Sequence, residues 1–261
     1  MLFLKELHSE NFKNLQSFDI KFDSKYVCFA GNNGAGKTNL LDAIHYLAMG
    51  KSYFNSIDQQ NINYEKDFFN ISCSIEKHGE AHALFCAFVK GMKKKIKKDG
   101  VDYEKLSDHI GQFPVVMVTP YDNSLITGGS EERRRFLDMI ISQFDSEYLN
   151  ALISYNRLLL QRNAQLKHMF EHENRNAALL DVYNAQLLKP VQLIFTKRQK
   201  FIDEFCELTL KYYAQISNQS EQISLKYKSQ LIDASLHDLW KESFQKDYFT
   251  QRTNVGVHKD D

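Results

Sequence analysis

The octapeptide Gly31-Asn32-Asn33-Gly34-Ala35-Gly36-Lys37-Thr38 constrains this chain more than any other stretch. Glycines at its first, fourth and sixth positions let successive main-chain N–H groups curl around phosphate oxygens. A plain glycine turn requires neither a lysine nor a hydroxyl, yet both follow here in the order a phosphate-binding loop uses. The apolar run Tyr26-Val27-Cys28-Phe29-Ala30 precedes it, and Leu40, Leu41, Ile44 and Leu47 continue it at helical spacing. This pattern predicts strand, loop and helix, with the helix N-terminus adding favourable dipole ends. Lys37 is then expected to reach the β- and γ-phosphates of a nucleotide, and the Thr38 hydroxyl to hold Mg²⁺. Those two residues are the candidates for phosphoryl-transfer chemistry. The predicted contact segment runs from Gly31, Asn32, Asn33, Gly34, Ala35, Gly36, Lys37 and Thr38 to Asn39.

A chain of 261 residues can bury one core, or a core and a smaller module. Lys and Arg total 33 and so do Asp and Glu, so no global field advertises nucleic acid, although a local basic stripe remains possible within a neutral whole. The opening Met1-Leu2-Phe3-Leu4 is too short for a signal peptide, and no apolar stretch approaches the ~18 residues of a membrane span. A cytoplasmic protein is the expectation. Cys28, Cys73, Cys86 and Cys206 have no metal-ligand spacing. The first three lie in apolar strand-like runs and read as buried free thiols.

Residues 1–130 read as strands around one helix. Leu2–His8 and Phe18–Phe22 are early strand candidates, and Phe68–Ile75 and Ala81–Val89 flank a turn at His78-Gly79-Glu80. Asp99-Gly100 has the composition of a two-residue hairpin turn between Lys94–Lys98 and Val101–Tyr103. Pro114–Val118 reads as an interior strand. From 131 to 220 the period becomes helical, in two long segments joined by a polar tip at Lys167–Asn176. Pro190 inside the second predicts a kink or restart. The pair suggests an antiparallel helical arm, without the sustained heptads of a long coiled coil. Within 221–261, Glu221–Tyr227 reads as a strand and Leu231–Phe244 as a helix. The fold class expected is α/β: a P-loop NTPase with an all-helical second lobe.

Three segments carry a family resemblance. The first is Leu7-His8-Ser9-Glu10-Asn11-Phe12-Lys13-Asn14-Leu15, leading into the phosphate loop. The second is Thr119-Pro120-Tyr121-Asp122-Asn123-Ser124-Leu125-Ile126 with Gly128-Gly129-Ser130-Glu131-Glu132-Arg133-Arg134-Arg135-Phe136-Leu137-Asp138. The third is Arg252-Thr253 followed by Gly256-Val257-His258-Lys259-Asp260-Asp261. Together they resemble the RecF family of SMC/Rad50-like ABC ATPases over essentially the whole chain. Tyr121 replaces a usual acid, and Val257 and Lys259 replace a usual proline and arginine. The lysine keeps the charge and loses the bidentate fork.

The resemblance implies ATP and Mg²⁺ as cofactors, a head-to-tail homodimer, sequence-nonspecific duplex or gapped DNA as partner, a RecR-like mediator, and a role in recombinase loading. It also implies a signature loop, a Walker B strand and a switch histidine beyond the residue matched by Asp261. The chain is therefore expected to be an N-terminal part that binds ATP with little hydrolysis of its own. The alternatives are a nucleotide-binding DNA scaffold module and another SMC/Rad50-like ATPase. Against a Rad50-like protein, the helical insert is tens of residues long and no cysteine pair marks its tip.

Other residues have competing readings. Ile126-Thr127-Gly128-Gly129-Ser130 superficially resembles an ABC signature, but a helix cap at Ser130 with Glu131 and Glu132 in the first turn is the preferred reading. Ala178-Leu179-Leu180-Asp181 mimics a Walker B ending and reads as a helix face. Asp42 reads as a capping or solvated acid. Arg133, Arg134 and Arg135 point in different directions around a helix, so at least one is expected to face protein. Lys93, Lys94, Lys95, Lys97 and Lys98 form the densest basic patch, either a DNA-backbone contact or an exposed edge kept from pairing.

Overall fold

Along Phe68–Lys77 apolar and polar residues alternate, and each of Phe69, Ile71, Cys73 and Ile75 is buried while its neighbours are not. That period of two places one side of the strand on a core. The structure, a computed structural model, describes residues 2–261, which form two units divided between Thr119 and Pro120. Pro120–Ser130 thus goes with the second unit.

The first unit contains β1 (Leu2–Phe12), β2 (Leu15–Lys21), α1 (Lys37–Met49), β3 (Phe68–Lys77), β4 (Glu80–Val89), β5 (Lys95–Lys98), β6 (Val101–Asp102) and the single-turn α2 (Leu106–His109). Its six strands form one antiparallel sheet in the order β2-β1-β3-β4-β5-β6. The Asp99-Gly100 hairpin forms as its composition predicts, with φ of 52° and 81°, the left-handed pair that matches strand twist. Leu40, Ala43, Tyr46 and Leu47 of α1 join Leu7, Phe12, Phe69, Ile71 and Leu84 of the sheet in one core. Phe12, Tyr46 and Phe69 meet edge to face with ring centroids 5.2–5.7 Å apart.

Two expected strands are absent from this sheet. Tyr26–Ala30 forms no strand, and Tyr26 and Val27 are exposed, while Phe29 packs on Phe22. Pro114–Val118 likewise forms none, with Val116 and Val118 exposed. Apolar composition is not enough for a strand, which needs a neighbour for its N–H and C=O groups. Of the cysteines, Cys73 and Cys86 are buried, and desolvation pushes each thiol up to about 12. Cys28 corrects the expectation, because its run is outside the sheet and the residue is exposed.

The second unit contains α3 (Ser124–Thr127), α4 (Ser130–Phe144), α5 (Ser146–Glu171), α6 (Asp181–Ile216) and α7 (Leu236–Thr250). From Tyr148–Arg198 to Arg162–Asn184 the residue numbers rise on one helix and fall on the other, so α5 and α6 are antiparallel. The α6 helix passes through buried Pro190 without interruption. Tertiary packing of Leu187, Val191 and Ile194 on both sides of the proline offsets its missing hydrogen bond. Residues 221–227 form no strand, although Lys228 and Asp261 exchange both main-chain hydrogen bonds. Ser130 is the first helical residue of α4 rather than its cap; Gly129 holds the cap position. Among the described residues no helix is long and apolar enough to cross a membrane.

Candidate nucleotide site

Gly31–Thr38 turns directly into α1. Gly34 and Gly36 have φ of 81° and 100°, backbone that side-chain-bearing residues rarely adopt. A Cβ on Gly36 would also stand 2.5 Å from Leu15 Cδ2 and 3.0 Å from Asn14 Oδ1, so a side chain here would displace both. The Ala35 amide donates to the Asn32 carbonyl at 3.2 Å, closing the loop on itself.

The Lys37 amine donates to the carbonyls of Gly31 and Asn32, each at 2.8 Å. Those bonds draw the side chain back across the loop from the start of α1. The first N–H groups of an α-helix have no intrahelical acceptor, so those of Lys37, Thr38 and Asn39 are available at the same end. Asn32, Asn33, Gly34, Ala35 and Thr38 are exposed, which leaves this surface open to a large anion. Cationic amine, helix N-terminus and left-handed glycines in one loop form a donor set suited to a polyphosphate, and Thr38 supplies a hydroxyl of the kind that coordinates Mg²⁺. The residues fit both groups.

Asn39 does not project alone: its Nδ2 donates to Asn14 Oδ1 at 2.7 Å, and Asn14 Nδ2 donates to the Gly34 carbonyl at 2.8 Å. Asp42 is not solvated. It is fully buried, taking Lys13 Nζ at 2.5 Å, Ser52 Oγ at 2.6 Å and the Tyr53 amide at 2.7 Å. Its place one turn into α1, beside a basic residue of the β1–β2 turn, turns an apparent surface acid into an anchor. Lys94 is likewise withdrawn from the basic patch, held on Asp58 at 2.9 Å and on the Gly50 carbonyl at 2.5 Å. Lys97 pairs with Asp102 at 3.5 Å, while Lys93 and Lys95 stay exposed.

The other two motif segments meet within the second unit. Arg133 Nε donates to Asp261 Oδ1 at 2.6 Å, Arg134 to the Asp260 carbonyl, and Arg135 stays in an exposed pair with Glu131. At the centre Arg198, 2% exposed, donates to Asp138 and Asp260 at 2.8 Å and to the Val257 carbonyl at 2.7 Å. Arg162 donates to Asp247 at 2.8 Å and Thr253 at 2.7 Å. His258 Nε2 lies 2.9 Å from the Thr253 carbonyl, which can only accept, so Nε2 carries the proton and Nδ1 accepts from the Tyr155 hydroxyl. Burial holds this imidazole down at about 4.

Asn14, Arg162 and Arg198 received no role from the sequence. For the arginines a signal existed: Tyr155, Leu158, Arg162, Leu166 and Met169 recur at spacings of three and four, as do Val191, Ile194 and Arg198. A charge in register with an apolar stripe is a buried charge seeking a partner.

This fold and loop define a P-loop ATPase domain with a mixed β/α lobe and a mostly helical second lobe, and the family model described as "AAA domain" matches residues 6–251. The chain is 42% identical over 258 residues to the DNA replication and repair protein RecF of Flavobacterium johnsoniae, covering 99% of this chain and 72% of that protein. It is 43% identical to RecF of Bacteroides thetaiotaomicron, covering 100% and 70%. A solved structure titled as the recombination mediator protein RecF-ATP in the RecFOR pathway superposes with a TM-score of 0.91 at 26% identity, over 100% of this chain and 72% of that one. The chain belongs to the RecF family of DNA replication and repair proteins.

Proposed function

We propose that this chain binds ATP at Gly31–Thr38 as the nucleotide-binding part of a RecF-type DNA replication and repair protein. The observation that carries the reading is Lys37, whose amine is tied to the Gly31 and Asn32 carbonyls across a glycine loop at the N-terminus of α1. Its charge lies where the β- and γ-phosphates of a nucleotide on this loop would be neutralised. The Lys37, Thr38 and Asn39 amides donate to phosphate oxygens, and the Thr38 hydroxyl is the ligand this chain offers to Mg²⁺. Bound Mg²⁺ would neutralise charge that develops on the phosphates. The family's ATP-bound solved structure supports the choice of ATP.

DNA is the macromolecular partner in this reading, bound without sequence preference. Exposed Lys93 and Lys95 are the hairpin residues free to face its phosphates, since Lys94 is engaged with Asp58. ATP-dependent head-to-tail dimerisation and a RecR-like mediator complete the proposal.

Replacing Lys37 with Ala tests the site. Titration with a fluorescent ATP analogue in the presence of Mg²⁺ is expected to show affinity reduced by about a hundredfold or more, since hydrogen bonds to a charged group contribute ~1.5–3 kcal/mol each. The circular dichroism spectrum is expected to be unchanged, because the amine touches only the loop. Equal affinity in the two proteins would overturn the assignment.

A further inference from the structure

The peptide joining Gly34 to Ala35 is held in the phosphate loop by hydrogen bonds rather than by packing around Gly34. Nothing lies within 4 Å of where a Gly34 Cβ would be, so packing does not hold it. With glycine on one side and Gly36 one residue further on, the peptide plane has little steric reason to prefer one orientation. A side chain nevertheless reaches it: Asn14 Nδ2 donates to the Gly34 carbonyl at 2.8 Å.

We propose that Asn14 is a positioning residue for the phosphate loop, selecting one orientation of the Gly34–Ala35 peptide, and that Asn39 acts by holding Asn14. The inference rests on the reading of Gly31–Thr38 as a nucleotide site. In a trans peptide the C=O and the following N–H point to opposite sides. Holding the Gly34 oxygen toward Asn14 therefore turns the Ala35 amide inward, where it closes the turn on Asn32. A flipped plane would instead place a carbonyl on the inner side of the loop, where it would repel phosphate oxygens.

Asn14 can act as a strut because its own turn is anchored. The Lys13 amide donates to the Asn61 carbonyl at 2.9 Å, Asn63 Nδ2 donates to the Lys13 carbonyl at 2.5 Å, and the Lys13 amine is held on buried Asp42. The Leu15 and Asn14 side chains fill the space beside Gly36. Asn39 Nδ2 occupies Asn14 Oδ1, which orients the amide so that its NH₂ faces Gly34. The strut thus connects a fixed turn of the sheet to the part of the loop that has no packing of its own.

The test compares Asn14→Ala, Asn14→Asp, Asn39→Ala and the Asn14→Ala/Asn39→Ala double variant with wild type and Lys37→Ala in the intact protein, by calorimetric titration with Mg·ATP. Asn14→Ala is expected to weaken binding roughly tenfold, the scale of one hydrogen bond lost together with the orientation it selects. Asn14→Asp keeps the acceptor for Asn39 but turns a second oxygen toward the Gly34 carbonyl, and is expected to bind no better than Asn14→Ala. Asn39→Ala is expected to lose less, and the double variant no more than Asn14→Ala alone. The unfolding midpoint without nucleotide should stay at the wild-type value throughout.

Wild-type affinity in Asn14→Ala, with binding lost in Lys37→Ala, would overturn the strut and leave the nucleotide site standing. Equal binding by wild type and Lys37→Ala would overturn the nucleotide reading and the strut with it. A nucleotide-free midpoint lowered in Asn14→Ala in step with its affinity would overturn positioning in favour of a purely structural role. Additive losses in the double variant would overturn the part assigned to Asn39.

Discussion

In the first unit the withdrawn cations are lysines at the margin of an apolar core, Lys13 on Asp42 and Lys94 on Asp58, with amine-bearing side chains still 14% and 15% exposed. In the second unit the cations are arginines at the centre, Arg162 and Arg198, 1% and 2% exposed. The difference follows from what each unit has to bring together. A sheet is held by its ladder and by Phe12, Phe69, Ile71 and Leu84, so its charges need only fasten turns, Lys13 to Asp42 of α1 and Lys94 to Asp58. The second unit has to fix α4, α5, α6 and the irregular stretch Thr253–Asp261 on one another, and the latter has only the Lys228–Asp261 main-chain pair in place of a ladder. A guanidinium with five donors in a fixed fork can bind several such elements at once, which an ammonium does less well. Arg198 joins Asp138 of α4, Tyr148 of α5 and both Val257 and Asp260 of the final segment.

If that comparison holds, replacing Arg198 has the largest effect. Arg198→Ala leaves Asp138 and buried Asp260 without their common cation and is expected to cost about 3–5 kcal/mol, measured by denaturant unfolding with a probe in the second unit. Arg198→Met, which keeps volume, is expected to recover little of this loss, because the two carboxylates remain. A loss below about 1 kcal/mol would show that the final segment is held by packing instead.

The acid response of His258 sharpens the same contrast. Its imidazole, held at about 4 in the fold by burial, returns to the ordinary 6.5 when the chain unfolds. Between those values the unfolded chain binds the extra proton, so stability falls as pH drops from about 6.5 to 4 and levels off below. The full span is worth up to about 3 kcal/mol. Burial also lowers His45 and His109, so thermal unfolding across this range is expected to show the slope in wild type and a shallower one in His258→Gln. An unchanged slope in the variant would assign the acid sensitivity elsewhere.

The smallest effect belongs to the first unit. Lys94→Met is expected to cost about 1–2 kcal/mol, since it strands Asp58 at a partly exposed edge. Lys95→Ala, on the same strand but exposed, is expected to stay within about 0.5 kcal/mol of wild type. Equal losses in the two chemical-unfolding curves would mean that the hairpin lysines act as a uniform charge patch and that Lys94 is not a tether.

Much of the site was legible in the order of residues. A glycine loop ending in Lys37-Thr38 leaves few other uses, and the onset of helix at Lys37 follows from the apolar positions Leu40, Ile44 and Leu47. The long helices and the Asp99-Gly100 turn were equally local, being set by period and by tolerance for positive φ. The runs Tyr26–Ala30 and Pro114–Val118 misled because a strand is a property of two segments. The burial of Asp42 and the withdrawal of Lys94 depended on what lies across from them, Lys13 in one case and Asp58 in the other.

By itself the sequence determined the elements whose causes lie within a few residues: the phosphate loop, α1, the alternating strands and the antiparallel helices. Only the tertiary structure decided which charges are buried, that Asn14 touches the Gly34 carbonyl, and that Arg198 reaches Asp260, 62 positions away in the chain. Hydrophobic period and turn propensity are carried by neighbours along the backbone. A hydrogen bond between distant side chains is directional, and a displacement of about 1 Å is enough to remove it, so its existence depends on how the finished elements are brought together.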